Sequence, residues 1–105
     1  MTEHVGLHTR LKPGMEQAYD TAHAAVWPEL LAAIRAAGFT RWLLFRDGAD
    51  IFHAIECKDY QRGIAELAGN PVNQRWQAEM ARLTEVAHDY TGASSDRLRL
   101  IFDLP

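Results

Sequence analysis

The two ends of this chain carry the same pattern, and that narrows what it can become. Near the start Val5, Leu7, Thr9 and Leu11 alternate with His4, Gly6, His8 and Arg10. At the finish Leu98, Leu100, Phe102 and Leu104 alternate with Arg97, Arg99, Ile101 and Asp103. A period of two puts alternate side chains on opposite faces of an extended chain, so a half-buried strand is predicted at each end, the last one reaching the C-terminus. Between them the period changes. Met15, Ala18, Tyr19, Ala22, Val26, Leu30, Ala33, Ile34 and Ala37 recur at steps of three and four until Gly38, the signature of an amphipathic helix. Pro28 lies inside it without an N–H for the carbonyl of Ala24, so a kink or restart is expected near residues 24–28.

Phe39 to Asp47 and Ile51 to Cys57 flank the turn residues Asp47-Gly48-Ala49-Asp50 and predict a β-hairpin. Asp59 can cap a helix through about Ala68, and Asn70 followed by Pro71 starts another, with Val72, Trp76, Met80, Leu83 and Ala87 at helical spacing. His88 to Asp96 reads as a loop. The order β-α-β-β-α-β is that of a ferredoxin-like α+β fold, an antiparallel sheet with helices on one face. One domain over residues 1–105 is expected. Both sheet faces carry apolar residues, so the uncovered face is expected to line a cavity, meet a second copy of the chain, or do both, and a homodimer is the natural assembly.

Charge and cysteine content exclude several roles. Eleven Lys plus Arg against fourteen Asp plus Glu leave a net charge of −3, which provides no positive field for a phosphate backbone, and no nucleic-acid partner is expected. The most apolar stretch, residues 22–39, is interrupted by His23, Pro28, Glu29 and Arg35, so no membrane span is expected. The single Cys57 cannot form an internal disulfide, and the opening residues lack the pattern of a signal peptide, so the expected location is cytoplasmic.

Few residues offer chemistry. Helical steps of four stack Tyr19, His23 and Trp27 along one edge of the apolar stripe. An imidazole between a phenol and an indole suits a site that holds an uncharged polar ligand and moves protons near neutral pH, although each of the three is equally compatible with a half-buried boundary position. A metal site is not expected. His4 and His8 are separated by about 13 Å of extended chain, too far for neighbouring ligands on one ion, and His53 would have to join one of them across the sheet. His88 reads as a surface residue at a helix end, and Cys57 as structural. No nucleophile elbow or phosphate-binding glycine loop is present, so no nucleotide cofactor is expected.

Tyr19-x-x-x-His23, Val26-Trp27-Pro28-Glu29-Leu30, Asn70-Pro71-Val72-Asn73-Gln74-Arg75-Trp76 and the terminal Phe102-Asp103-Leu104-Pro105, in this order and over nearly the whole chain, closely resemble the L-rhamnose mutarotase family. The resemblance implies a small dimeric α+β barrel protein that interconverts the α and β anomers of L-rhamnose without a cofactor. It implies a sugar contact at Tyr19 and a proton-donating role for His23. It also implies sugar contacts at Trp42, where the family carries a tyrosine, and at the pair Trp76-Gln77, where the family pattern can show two tryptophans. Trp42 replaces a phenol by an indole, and Gln77 makes one wall more polar.

Ring opening needs one proton delivered to the ring oxygen and another removed from the anomeric hydroxyl. His23 is assigned the first task, and Tyr19 or Glu29 the second. Trp27 is expected in core packing. The departures at Trp42 and Gln77 leave L-fucose as an alternative substrate. A dimeric-barrel monooxygenase or haem-binding protein, and a non-catalytic sugar-binding module, are the other readings of the fold.

Overall fold

In the computed structural model, which describes residues 1–105, β1 spans Glu3–Leu11 and buries Val5, Leu7, Thr9 and Leu11, the face that the alternation assigns to the core. It lies at the centre of the sheet. The hairpin strands are β2, Phe39–Asp47, and β3, Asp50–Cys57, and β3 pairs antiparallel with β1 in a register that sets Leu7 opposite His53. The strand order is β2-β3-β1-β4, with β4 spanning only Thr84–Val86, and a two-residue β5, Arg97–Leu98, pairs with β1 beyond β4 on the same edge. This is the expected α+β arrangement of an antiparallel sheet with helices.

The predicted first helix is two helices. α1 runs Glu16–His23 and α2 runs Pro28–Ala36, with Pro28 in the first turn of α2. Proline suits that position because the N–H it lacks would have no partner there. α3, Tyr60–Ala68, starts where the Asp59 carboxylate accepts the Arg62 N–H, and α4, Pro71–Ala81, starts where the Asn70 side chain accepts from the N–H groups of Val72 and Asn73. Both caps are those the sequence predicts. α3 presses close to the sheet at Gly63, where an added Cβ would lie 2.7 Å from the Phe39 ring.

Two boundaries differ from expectation. α4 stops at Ala81 and does not continue to Ala87, because Thr84 Oγ1 takes the Met80 carbonyl while Lys12 N–H takes the Leu83 carbonyl and draws the chain into β4. The final strand ends at Leu98 and does not reach the C-terminus. Pairing with β1 stops at Gly6 and Leu98, and Leu100, Ile101, Phe102 and Leu104 beyond it are 64 to 88% exposed, with no burial to hold them in the sheet.

The core has two parts, both between the helices and the sheet. Val5, Leu7, Phe39, Ile55, Tyr60, Ile64 and Leu67 form one, and Leu11, Tyr19, Leu30, Ile51, Trp76 and Met80 the other. The opposite face of the sheet is bare and carries Leu43, Phe45, Phe52 and Leu98, each at least 37% exposed. No helix is long and apolar enough to cross a membrane.

Candidate active site

A cavity of about 400 Å³ opens between the two core clusters, floored by the inner face of the sheet and walled by α1, α2, α4 and the segment after β4. Its size and mostly apolar lining suit a small organic ligand. Tyr19, His23, Trp42, Trp76 and Gln77 all line it, so five residues from three distant stretches of sequence meet on one wall system. The cavity lies on the helix side of the sheet. Glu29 and Trp27 are absent from its lining. Trp27 falls outside α1 because the helix ends at His23, and its ring packs edge-on against Trp76 at 5.1 Å. Glu29 is exposed in the first turn of α2.

His23 is held in a defined tautomer. Its Nδ1 is 2.9 Å from the Tyr19 carbonyl oxygen, which can only accept, so Nδ1 carries a proton and Nε2 is left for other chemistry. The ring lies 4.2 Å from the Tyr19 ring and meets Trp76 edge-on at 5.4 Å. Burial lowers the His23 pKa, and the Tyr19 carbonyl and Asp20 carboxylate partly oppose this. Asp20 is itself held ionised by Arg46, which grips both carboxylate oxygens at 2.9 and 2.7 Å and ties α1 to β2. Burial pushes the Tyr19 hydroxyl up to about 12, so it stays protonated.

Trp42 is engaged through its ring nitrogen. Its indole N–H donates to His53 Nδ1 at 3.0 Å, so it is not available to a ligand and the ring turns an apolar surface to the cavity. Because Nδ1 of His53 must accept, the proton of the neutral ring is on Nε2, which donates to Thr9 Oγ1 at 3.0 Å. Burial drives the His53 pKa down to about 4. His53 faces the helices, opposite Leu7, whereas His4 and His8 point to the other side. It therefore cannot join them across the sheet. His8 is bound instead to Asp50 at 2.8 Å, and Arg10 holds the same carboxylate oxygen. Cys57 is free and buried, and its thiol is pushed up to about 11 by burial.

Gln77 is also engaged, donating to the Tyr90 hydroxyl at 3.1 Å and to Asn73 Oδ1 at 3.3 Å. Asn73 is anchored in turn by donating to the Leu67 carbonyl. This chain of amides fastens the segment after β4 to α4.

That segment brings in residues the sequence reading missed. His88 is on the cavity wall with a side chain only 6% exposed, so it is not a surface residue. α4 ends at Ala81, seven residues before it, so no helix terminus lies beside it. Its ring stacks tilted on Tyr90 at 4.1 Å and lies 5.8 Å from His53. Its Nε2 is 3.0 Å from the Tyr60 hydroxyl and 3.8 Å from Asp96 Oδ2, and burial pulls its pKa down to about 3. The loop is folded round Asp89, whose carboxylate accepts from the backbone and hydroxyls of Thr91 and Ser95. His53 was open to discovery from its place between Ile51 and Ile55 on the inward phase of β3. Nothing local marks His88 or Tyr90, whose burial depends on contacts across the fold.

The sequence profile of the L-rhamnose mutarotase family matches residues 4–104. L-rhamnose mutarotase of Burkholderia ambifaria is 38% identical over 89 residues, which are 83% of this chain and 85% of that one. L-rhamnose mutarotase of Mesorhizobium japonicum is 33% identical over 90 residues, 85% of this chain and 86% of that one. The crystal structure of an L-rhamnose mutarotase from Formosa agariphila superposes with a TM-score of 0.79 at 25% identity, covering 98% of this chain and 99% of that one. The tetracenomycin F2 cyclase of Streptomyces glaucescens, at 17% identity and a TM-score of 0.67, shares the fold alone. With profile, relatives and superposition all spanning most of its length, the chain belongs to the L-rhamnose mutarotase family.

Proposed function

We infer that this protein interconverts the α and β anomers of L-rhamnopyranose. The observation that carries the reading is the convergence of Tyr19, His23, Trp42, Trp76 and Gln77 on one cavity in a chain of this family. Mutarotation breaks the C1–O5 bond as O5 gains a proton and O1 loses one, and reclosure on the other face of C1 returns both. Acid–base transfer alone suffices, and positioned groups supply about 10²–10⁴ in rate.

His23 delivers the proton to O5 from Nε2, the nitrogen not held by the Tyr19 carbonyl. Burial makes the protonated ring scarcer but a stronger donor. Tyr19 is a neutral hydroxyl beside it, suited to holding a sugar hydroxyl. Trp42 and Trp76 offer flat apolar surface to the C–H face and C6 methyl of a deoxy sugar, and Gln77 lends a polar edge beside Asn73 and Tyr90. Replacing His23 by Ala is expected to abolish most acceleration of anomer exchange, measured by saturation-transfer NMR on L-rhamnose, in a protein that remains folded. Exchange at the wild-type rate would refute the assignment.

The reading includes a homodimer formed through the bare face of the sheet. Leu43, Phe45, Phe52 and Leu98 are exposed on that face, and Leu100 lies beside Leu43 and Leu98 without a partner strand in the same chain. It also includes a cytoplasmic location, in keeping with the free thiol of Cys57.

A further inference from the structure

We propose that His88 is the second proton-handling residue, the base that removes the anomeric O1 proton while His23 protonates O5. The proposal rests on the mutarotase reading and supplies the partner that reading lacks. Glu29 is exposed away from the cavity, and Tyr19 offers a hydroxyl, not a base. His53 is in the cavity wall, but Trp42 and Thr9 occupy both of its nitrogens. Besides His23, only His88 joins a place on the wall to an unengaged ring nitrogen.

Its Nε2 faces the Tyr60 hydroxyl and the Asp96 carboxylate, while Nδ1 has no hydrogen-bond partner in the chain. Nδ1 is not sealed in either, because the one fully enclosed side-chain N or O atom without a partner is Asp96 Oδ1. Nδ1 is therefore the reachable, unpartnered nitrogen of a side chain that lines the cavity. That orphaned oxygen is itself informative. Asp96 Oδ2 accepts the Asp89 N–H at 2.9 Å, but Oδ1, on a side chain 1% exposed, meets no donor. A buried carboxylate left half-satisfied is costly unless a positive charge arrives nearby. A proton held by His88 only while the sugar is open supplies one, with Nε2–H directed at Tyr60 and Asp96, whereas burial keeps the resting ring neutral and so able to accept.

The step balances. His88 Nδ1 takes the proton from O1, the O1–H electron pair becomes the second bond of C1=O1, the C1–O5 pair goes to O5, and O5 takes the proton from His23 Nε2. His23 changes from imidazolium to neutral and His88 from neutral to imidazolium. After rotation about C1–C2 the same transfers run backward and restore both rings, so no other reactant is consumed.

The test compares wild type, His88→Gln, and His88→Ala with and without free imidazole, using saturation-transfer NMR on L-rhamnose. His88→Gln is expected to lower kcat about 100-fold or more with KM within about threefold, and imidazole to restore part of the rate of His88→Ala. A His88→Gln rate within about threefold of wild type overturns the proposal while leaving the mutarotase reading intact. A wild type that does not accelerate exchange overturns the mutarotase reading itself. If the variants fail to fold, the ¹⁵N shifts of His88 in wild type decide. A bare Nδ1 with the proton on Nε2 supports the base role, and a protonated Nδ1 overturns it whatever the activity.

Discussion

Two buried histidines should make this protein sensitive to mild acid, by an amount that follows from their surroundings. An unfolded histidine has a pKa of about 6.5, whereas burial holds His53 at about 4 and His88 at about 3. Below about pH 6.5 the unfolded chain therefore binds protons that the folded chain refuses, so stability is intact above that value and falls as the pH drops toward 4. At pH 5 each unfolded ring is almost fully charged and each folded ring almost fully neutral, a difference of about 2 kcal/mol per residue and about 4 kcal/mol for the pair. The side chains are nearly enclosed, so solvent screening takes little from this. Mutual repulsion is one reason the His88 pKa is low, so the two contributions are best measured together. Asp96 acts in the opposite sense, because burial raises its carboxyl pKa and acid then favours the folded form.

Comparison with a variant removes the carboxylate contributions common to both proteins. Urea unfolding of wild type and of the double variant His53→Gln/His88→Gln, at pH 7 and pH 5 and fixed protein concentration, should show wild type losing about 4 kcal/mol more between the two conditions. Glutamine preserves an acceptor for Trp42 and a donor for Thr9, and it does not titrate. Equal losses within about 1 kcal/mol would refute the argument, because the rings would then be charging freely inside the fold.

Trp42→Tyr deletes the indole N–H that His53 Nδ1 accepts and sets a hydroxyl on the cavity wall, so the ratio of kcat/KM for L-rhamnose and L-fucose should change by about threefold or more; an unchanged ratio removes this position from substrate choice. Phe45→Asp places a charge in the middle of the bare sheet face, and sedimentation velocity should show a shift from dimer to monomer. A dimer that persists would locate the subunit contact elsewhere.

What could be read from the sequence was what short-range chemistry decides. The alternation in β1, the Asp59 and Asn70 caps, Pro71 in a first turn and the Asp47–Asp50 turn each depend on neighbours a few residues away, and each occurs where predicted. The break beside Pro28 was legible for the same reason. Leu100 to Leu104 alternate like a strand, yet a strand also needs an edge, and no local pattern says whether one is free. Leu83 and Ala87 continue the spacing of α4, but the hydrogen bond from Lys12 to the Leu83 carbonyl comes from 71 residues away in sequence and wins. The site divides along the same line. His23 and Tyr19 share a helix and their pairing follows from the four-residue step, whereas His88 meets Tyr60 and Asp96 only because the Asp89 loop folds it inward. The engagement of the Trp42 indole by His53 is a fact of side-chain packing that residue type alone does not convey.

The interruption between α1 and α2 has an electrostatic consequence. The first helix ends at His23, its last carbonyls taken by the amides of Ala24 and Ala25, so the ring occupies the negative pole of α1. Had the chain coiled without pause through residue 37, the ring would have sat in the electrically neutral middle of a rod. A proline five positions downstream thus gives the imidazolium a counter-field that burial alone would deny it.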